Sequence, residues 1–174
     1  MRTHIRRLLA AAVIAVPLVL LTDSHPALAN NYSWMRVASA QTWCVTVPGA
    51  VYDHSRVALW TCDLNDVTQT WLVHATTYGG GGWFELATYV KVSGISYCLD
   101  LPGDTTAYPT DLQVHPCNGT AAQAWVWADN GNGVTWGNPN GDVIDLYQGT
   151  LSDGAHIVNW PYRAGNWTEI WYGP

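Results

Sequence analysis

The sequence predicts an all-β chain in which three copies of one unit close into a small barrel with three-fold pseudosymmetry. Three observations carry this reading. The four cysteines fall into two pairs, 44/62 and 98/117, separated by 18 and 19 residues. A Trp closes each of three similar segments, at positions 71, 125 and 171. Beyond the first thirty residues the chain consists of short alternating runs broken by Gly, Pro, Asn and Asp, with no amphipathic helical period.

The N-terminus reads as an address. Arg2, His4, Arg6 and Arg7 precede the 14 mostly apolar residues Leu8 to Leu21, interrupted by Pro17, and Ala27-Leu28-Ala29 ends the stretch as a small-residue cleavage pattern. This is the layout of a secretory signal peptide. A membrane anchor needs about 20 apolar residues. Cleavage after Ala29 is expected, leaving residues 30–174 as a secreted, extracellular chain with no membrane span. In that compartment paired cysteines oxidise.

The repeat appears when segments are laid over one another. Trp43-Cys44-Val45-Thr46 corresponds to Tyr97-Cys98-Leu99-Asp100 and to Asp142-Val143-Ile144-Asp145. Leu59-Trp60-Thr61-Cys62 corresponds to Val114-His115-Pro116-Cys117 and to Asn159-Trp160-Pro161-Tyr162. Gln69-Thr70-Trp71, Gln123-Ala124-Trp125 and Glu169-Ile170-Trp171 close the units, which span about 33–75, 86–129 and 133–173. Gly79–Gly82 and Asn138-Pro139-Asn140-Gly141 read as turns. Three units are too few to close a propeller. A closed barrel uses the whole repeat region and removes exposed sheet edges.

Each element then has a physical task. Trp71, Trp125 and Trp171 are expected in a shared core, each removing about 150–250 Å² from water, with Gln69 and Gln123 expected to hydrogen-bond strand backbone beside it. Four cysteines allow three pairings, and the repeat selects Cys44–Cys62 and Cys98–Cys117. Each link closes a loop worth about 3 kcal/mol of chain entropy. Metal-binding cysteines usually stand two to four residues apart, so no metal is expected, and no cofactor motif is present. The third unit has Val143 and Tyr162 in place of cysteines, and these are expected to substitute for the staple by packing.

Composition narrows the function. The 174 residues are 11% charged and include 11 Trp, with a net charge of −6. Beyond residue 29 only Arg36, Arg56, Lys91 and Arg163 oppose twelve acids. Nucleic acid and anionic lipid both need a basic footprint, so neither is an expected partner. Many Trp and few charges suit a polar, uncharged, ring-shaped ligand.

Three Q-x-W-like endings, a Cys-x-Asp opening at Cys98, and an aromatic two residues before the second Cys together resemble the ricin-type β-trefoil lectins and the family 13 carbohydrate-binding modules. The resemblance covers about residues 33 to 173. It implies a β-trefoil, a six-stranded barrel capped by hairpins with one shallow sugar pocket per repeat, and it implies glycan or polysaccharide as partner. In such pockets an aromatic face packs on the sugar ring while a carboxylate and amides bond its hydroxyls.

Carried over residue by residue, the second repeat supplies Asp100, Gln113, His115 and Gln123, with Ala122 where Asn is usual and Asn118 as a substitute amide. The third supplies Asp145 and the platform Trp160, with Val158 and Thr168 in place of the amides. The first has Trp60 but Thr46, Ala58 and Thr68 at the polar positions, and is expected to be degenerate for sugar. His54 and His156 have no support from the repeat register and are expected in solvent.

Glycoside hydrolysis needs two placed carboxylates. Only Glu85 and Glu169 exist among glutamates, Glu169 sits at a core-motif position, and no nucleophile or zinc-protease motif is present. A non-enzymatic sugar-binding protein is therefore expected. The alternative is a protein-interaction or delivery subunit of a secreted toxin, or a protease inhibitor, on a degenerate trefoil. Glu169 stands where two repeats have Gln. Buried in the same place, with few cations near, it would lose a donor bond or take up a proton, and Glu169→Gln would stabilise the fold at pH 7. Turned outward, it would be unstrained.

Overall fold

The computed structural model describes residues 32–173; the signal-peptide reading lies outside these residues. Fifteen short strands run through three units. The first holds β1 (Tyr32–Trp34), β2 (Arg36–Val37), β3 (Trp43–Thr46), β4 (Ser55–Arg56), β5 (Ala58–Thr61) and β6 (Thr70–Ala75). The second holds β7 (Phe84–Val92), β8 (Ile95–Asp100), β9 (Thr110–Asp111), β10 (Gln113–Pro116) and β11 (Val126–Asp129). The third holds β12 (Val134–Gly137), β13 (Asp142–Leu146), β14 (Ile157–Pro161) and β15 (Trp171–Tyr172). All pairings are antiparallel, and they join the strands into two sheets, β1-β6-β7-β8-β10-β4 and β5-β3-β2-β15-β12-β13-β14-β9, the second carrying β11 as a further partner of β12. Among the described residues the only helical elements are single 3₁₀ turns.

The three-fold repeat is visible bond by bond. Trp71, Trp125 and Trp171 are 1%, 0% and 0% exposed. Each indole N–H donates to a backbone carbonyl at one equivalent position: Val45 at 2.9 Å, Leu99 at 3.1 Å and Ile144 at 3.1 Å. The polar edge of each Trp is thus satisfied where its ring is driest, which removes the main penalty of burying indole. Val45, Leu59, Leu99, Leu112, Ile144 and Ile157 fill the space around the rings.

The disulfides are Cys44–Cys62 and Cys98–Cys117, each with Cα atoms 5.0 Å apart. Each ties a central strand, β3 or β8, to the segment leaving the strand paired with it. In the third unit Val143 is buried but Tyr162 is 51% exposed, so the pair does not stand in for the staple. A charged network does. Arg163 follows Tyr162 and reaches Asp145 on β13 and Glu169 in the next 3₁₀ turn.

Hairpin loops cross between units. β4 of the first pairs with β10 of the second, with Ser55 opposite Val114. β9 of the second pairs with β14 of the third, with Thr110 opposite Asn159. His156 of the third bridges Ala58 of the first. The residue two before Ser55, Thr110 or Ala155 is Asp53, Tyr108 or Asp153. Each lies beside the following unit's aromatic position: Asp53 on His115, Tyr108 on Trp160, and Asp153 on Thr61, next to Trp60. Each hairpin loop thus lies against the following unit's aromatic strand, and in the second unit it brings His54 of the first into the cleft.

Candidate functional site: clefts of the three repeats

The second repeat forms a cleft of about 360 Å³ lined by residues that include His54, Asp100, Asp104, Gln113, His115 and Asn118. Asp100, last residue of β8, is 5% exposed. Gln113 donates from Nε2 to Asp100 Oδ1 at 2.8 Å, and Gln123 donates to Oδ2 at 3.2 Å. Two amides hold the carboxylate in one orientation while each of its oxygens keeps a second lone pair for a ligand.

The sequence groups Gln123 with the sugar contacts; the structure corrects this. Gln123 is fully buried, accepts from Asn118 N–H at 2.8 Å and donates to the Pro116 carbonyl at 3.1 Å as well as to Asp100. It positions Asp100 and closes the core, as Gln69 does by accepting from Asp63 N–H and donating to the Thr61 carbonyl. Gln113 lines the cleft, but its amide is also engaged, with Oε1 3.1 Å from His54 Nδ1. Asn118 accepts at Oδ1 from the Thr120 N–H and hydroxyl, which leaves its Nδ2 group facing outward as a donor.

His115 occupies the aromatic position of β10, and its Nδ1 lies 2.6 Å from Asp53 Oδ1. His54, expected in solvent, stands over this cleft with its ring centroid 5.3 Å from that of His115. No signal in the repeats could have placed it, because its equivalents are Pro109 and Gly154. His156 is half-exposed, as expected, and pairs with Asp111 at 2.7 Å.

The third repeat departs furthest from the sequence reading. Asp145 is 2% exposed and its Oδ2 takes Arg163 Nη2, Thr168 Oγ1 at 3.1 Å and Asn166 Nδ2 at 3.4 Å. The Arg163 guanidinium also lies 5.5 Å from the Trp160 ring centroid. It therefore fills the space between the acid and the platform where a sugar ring was expected. The nearby cleft, about 320 Å³, is lined by Gln148, Gly149, Arg163, Asn166, Trp167 and Thr168, without Asp145 or Trp160. Tyr108 and Tyr147 pack beside Trp160 at 5.9 and 6.2 Å.

Glu169 is buried in the place of Gln69 and Gln123, and accepts Arg163 N–H at 2.9 Å as they accept Asp63 and Asn118. The expectation of few cations near it is overturned: Arg163 Nε donates to Oε1 at 2.9 Å, joined by Asn166 Nδ2 at 2.9 Å. The missing amide donor is replaced by a cation that needs two acceptors. Lining up the residue after the second cysteine position (Asp63, Asn118, Arg163) would have found this partner.

Burial pushes the Asp145 carboxyl up to about 6, against the lowering pull of Arg163 and Thr168, with Glu169 adding repulsion. Burial also raises Asp142, partly offset by the bond from Asn159. A carboxyl raised on folding contributes stability at low pH that is lost as pH rises through the folded value. Thermal stability is thus expected to be higher at pH 5 than at pH 7, by a few degrees; a melting temperature that stays level or rises from pH 5 to pH 7 would contradict the burial assigned to Asp145.

The first repeat lacks the carboxylate. Thr46 is 1% exposed and its hydroxyl is 3.0 Å from that of Thr68. Its cleft, about 500 Å³, is lined by Trp60, Asp63, Leu64, Asn65 and Asp66 among others. Both acids act within their own turn: Asp63 accepts from Asn65 N–H, and Asp66 from Thr68 N–H and hydroxyl.

The model of the ricin-type beta-trefoil lectin domain matches residues 33–171, nearly all of the described chain. The chain belongs to the ricin-type β-trefoil lectin family. Among solved structures, this lectin domain is similar to the designed three-fold symmetric protein ThreeFoil, with TM-score 0.68 and 21% identity over 81% of this chain and 96% of that one. It is similar to 1,3Gal43A, an exo-β-1,3-galactanase from Clostridium thermocellum, with TM-score 0.67 and 24% identity over 82% of this chain and 29% of that one. It is also similar to the C-half of the earthworm R-type lectin, solved with GalNAc, with TM-score 0.53 and 14% identity over 80% and 95% of the two chains. These identities establish a shared fold. Comparison with curated protein sequences gives no match.

Proposed function

We propose that this lectin-family chain is a secreted, non-catalytic carbohydrate-binding protein that takes neutral sugars or polysaccharide in the second-repeat cleft, and in the third repeat only when Arg163 withdraws. The observation that carries the reading is Asp100, a carboxylate clamped by two amides at the floor of an open cleft with His115 at its rim. Adjacent sugar hydroxyls are donors that such a carboxylate accepts, and the His115 edge and Asn118 amide complete the set. Both glutamates have structural partners. Glu169 holds Arg163, and Glu85 holds His74 at 2.6 Å and the Gly119 N–H at 3.0 Å, which supports a binding role over hydrolysis.

Shallow sites of this kind bind single sugars near the millimolar range, about −4 kcal/mol, and gain through multivalency. A glycan array is the test: retention on neutral glycans supports the reading, and retention on none overturns it. The protein-interaction alternative draws on Leu64, Val67 and Trp60, which are 80%, 49% and 38% exposed around the first cleft. A pull-down from culture supernatant separates the two.

A further inference from the structure

We propose that Asp53, His54 and His115 form a binding site for a divalent cation of the zinc class at the rim of the second-repeat cleft. One ligand atom from each residue lies within 4.8 Å of the other two. The residues come from two repeats, brought together by the β4–β10 pairing. Cysteine spacing argues only against a cysteine-held metal, and the cysteines take no part here. Two imidazoles and one carboxylate suit zinc, copper or nickel rather than calcium or magnesium.

The hydrogen bonds around the cluster prepare one nitrogen for a metal. Gln113 donates from Nε2 to Asp100, so its Oε1 faces His54 Nδ1 as acceptor. His54 must then carry its proton on Nδ1, which leaves the Nε2 lone pair bare, 3.5 Å from Asp53 Oδ2. A metal-bound histidine is typically oriented in this way by an acceptor on its other nitrogen. His115 Nδ1 now meets Asp53 Oδ1 at 2.6 Å through a proton. The metal takes that proton's place, and the His115 ring carries its proton on Nε2 instead.

Tetrahedral zinc with bonds of about 2.0–2.1 Å separates its ligand atoms by about 3.3 Å. The three side chains are 46%, 63% and 31% exposed and have room to close to that spacing. Three protein ligands leave a further position for water, as in open zinc sites. Asp100 and Asp104 line the cleft below, and among the described residues no Lys or Arg does, so the local field favours a cation. His54 also holds a φ of +64°, while Gly154 occupies the equivalent position at +82°. A histidine is thus kept where glycine fits better.

The second candidate triad, His74, Glu85 and Cys98, fails because Cys98 is in a disulfide and has no thiolate to offer.

The test is titration of the full chain with Zn²⁺ against a chromophoric chelator, alongside His54→Gly and His115→Gln. The wild type should bind one equivalent more than either variant, or bind it roughly tenfold more tightly. Zn²⁺ should raise the melting temperature of the wild type and of neither variant. His54→Gly suits the local backbone, so its metal-free melting temperature should not fall, and a lost site cannot be blamed on misfolding. Equal stoichiometry and affinity in all three proteins would overturn the proposal and assign any bound zinc elsewhere. The readout is the metal alone and is independent of sugar binding.

Discussion

Replacing Arg163 with Met is expected to destabilise the protein by about 2–3 kcal/mol at pH 7. Breaking a buried ion pair from one side costs about 3–5 kcal/mol, and the figure is reduced here because the Arg163 side chain is half exposed and partly screened by water. Asp145 and Glu169 are 2% and 1% exposed, and among the described residues Arg163 is the one cation bonded to both. Burial works against the Arg163 charge, but its bonds to the two carboxylates outweigh it and raise the guanidinium above its ordinary value. Without Arg163, the main lowering influence on Asp145 is gone and its carboxyl rises beyond about 6. The cost of a raised carboxyl accumulates from its unfolded value up to its folded value, so variant and wild type diverge only above the wild-type value of about 6, and the deficit should be largest at pH 7.5 and shrink at pH 5. At about 2–4 °C per kcal/mol for a chain of this size, thermal melts at the two pH values resolve it.

The same network sets the sign for Glu169. With Arg163 present, Glu169→Gln gives up the Arg163 and Asn166 bonds to Oε1 and should lose about 1 kcal/mol, the reverse of what the sequence alone suggests. Combined with Arg163→Met, it removes one of two unpaired buried carboxylates and should restore part of the loss. A deficit independent of pH, or a double variant worse than the sum of its parts, would show that Arg163 does not act by neutralising this pair.

The double change Asp100→Asn with Asp145→Asn is expected to reduce binding to an immobilised polysaccharide nearly to background. Loss of a charge-assisted bond is worth about 1.5–3 kcal/mol, or roughly 10–100-fold, and a millimolar site has no reserve against it. Asp100→Asn alone should carry most of the effect, because the Asp100 cleft is open whereas Asp145 lies beneath Arg163. It also turns an amide N–H₂ toward Gln113 or Gln123, so melts must accompany the binding curves. Thr46→Ala should change binding little, since its hydroxyl already meets Thr68. Binding that survives the double change would move the site away from both repeats and favour a protein partner.

Both predictions rest on residues whose legibility in the sequence differs. Asp100 is readable because its position relative to Cys98 is fixed within one hairpin. Q-x-W spacing finds Gln123 and leaves it two roles, backbone partner beside the core and sugar contact; burial selects the first, with its amide on Asp100 and backbone. Arg163 stands in the sequence as one of four basic residues in the repeat region and as the residue after the second-cysteine position of the third repeat, but the register alone does not say that it bonds both Asp145 and Glu169.

The sequence by itself determined what repeats along the chain. The all-β class, the two disulfides, the three core Trp and the polar gap of the first pocket all follow from contacts inside one unit. Their partners lie 18 to 27 residues apart, and a common register reports the disulfides twice and the Trp contacts three times. Tertiary structure alone decided what crosses between units: Asp53 on His115, 62 residues away, His54 on Gln113, 59 away, and Tyr108 beside Trp160. It also decided that Arg163 closes the third pocket. Barrel closure brings each hairpin loop onto the following unit, and at those loop positions the three copies differ. A repeat pattern carries information only where copies agree, so it is silent about residues whose contacts are made by closure and whose identities are not shared.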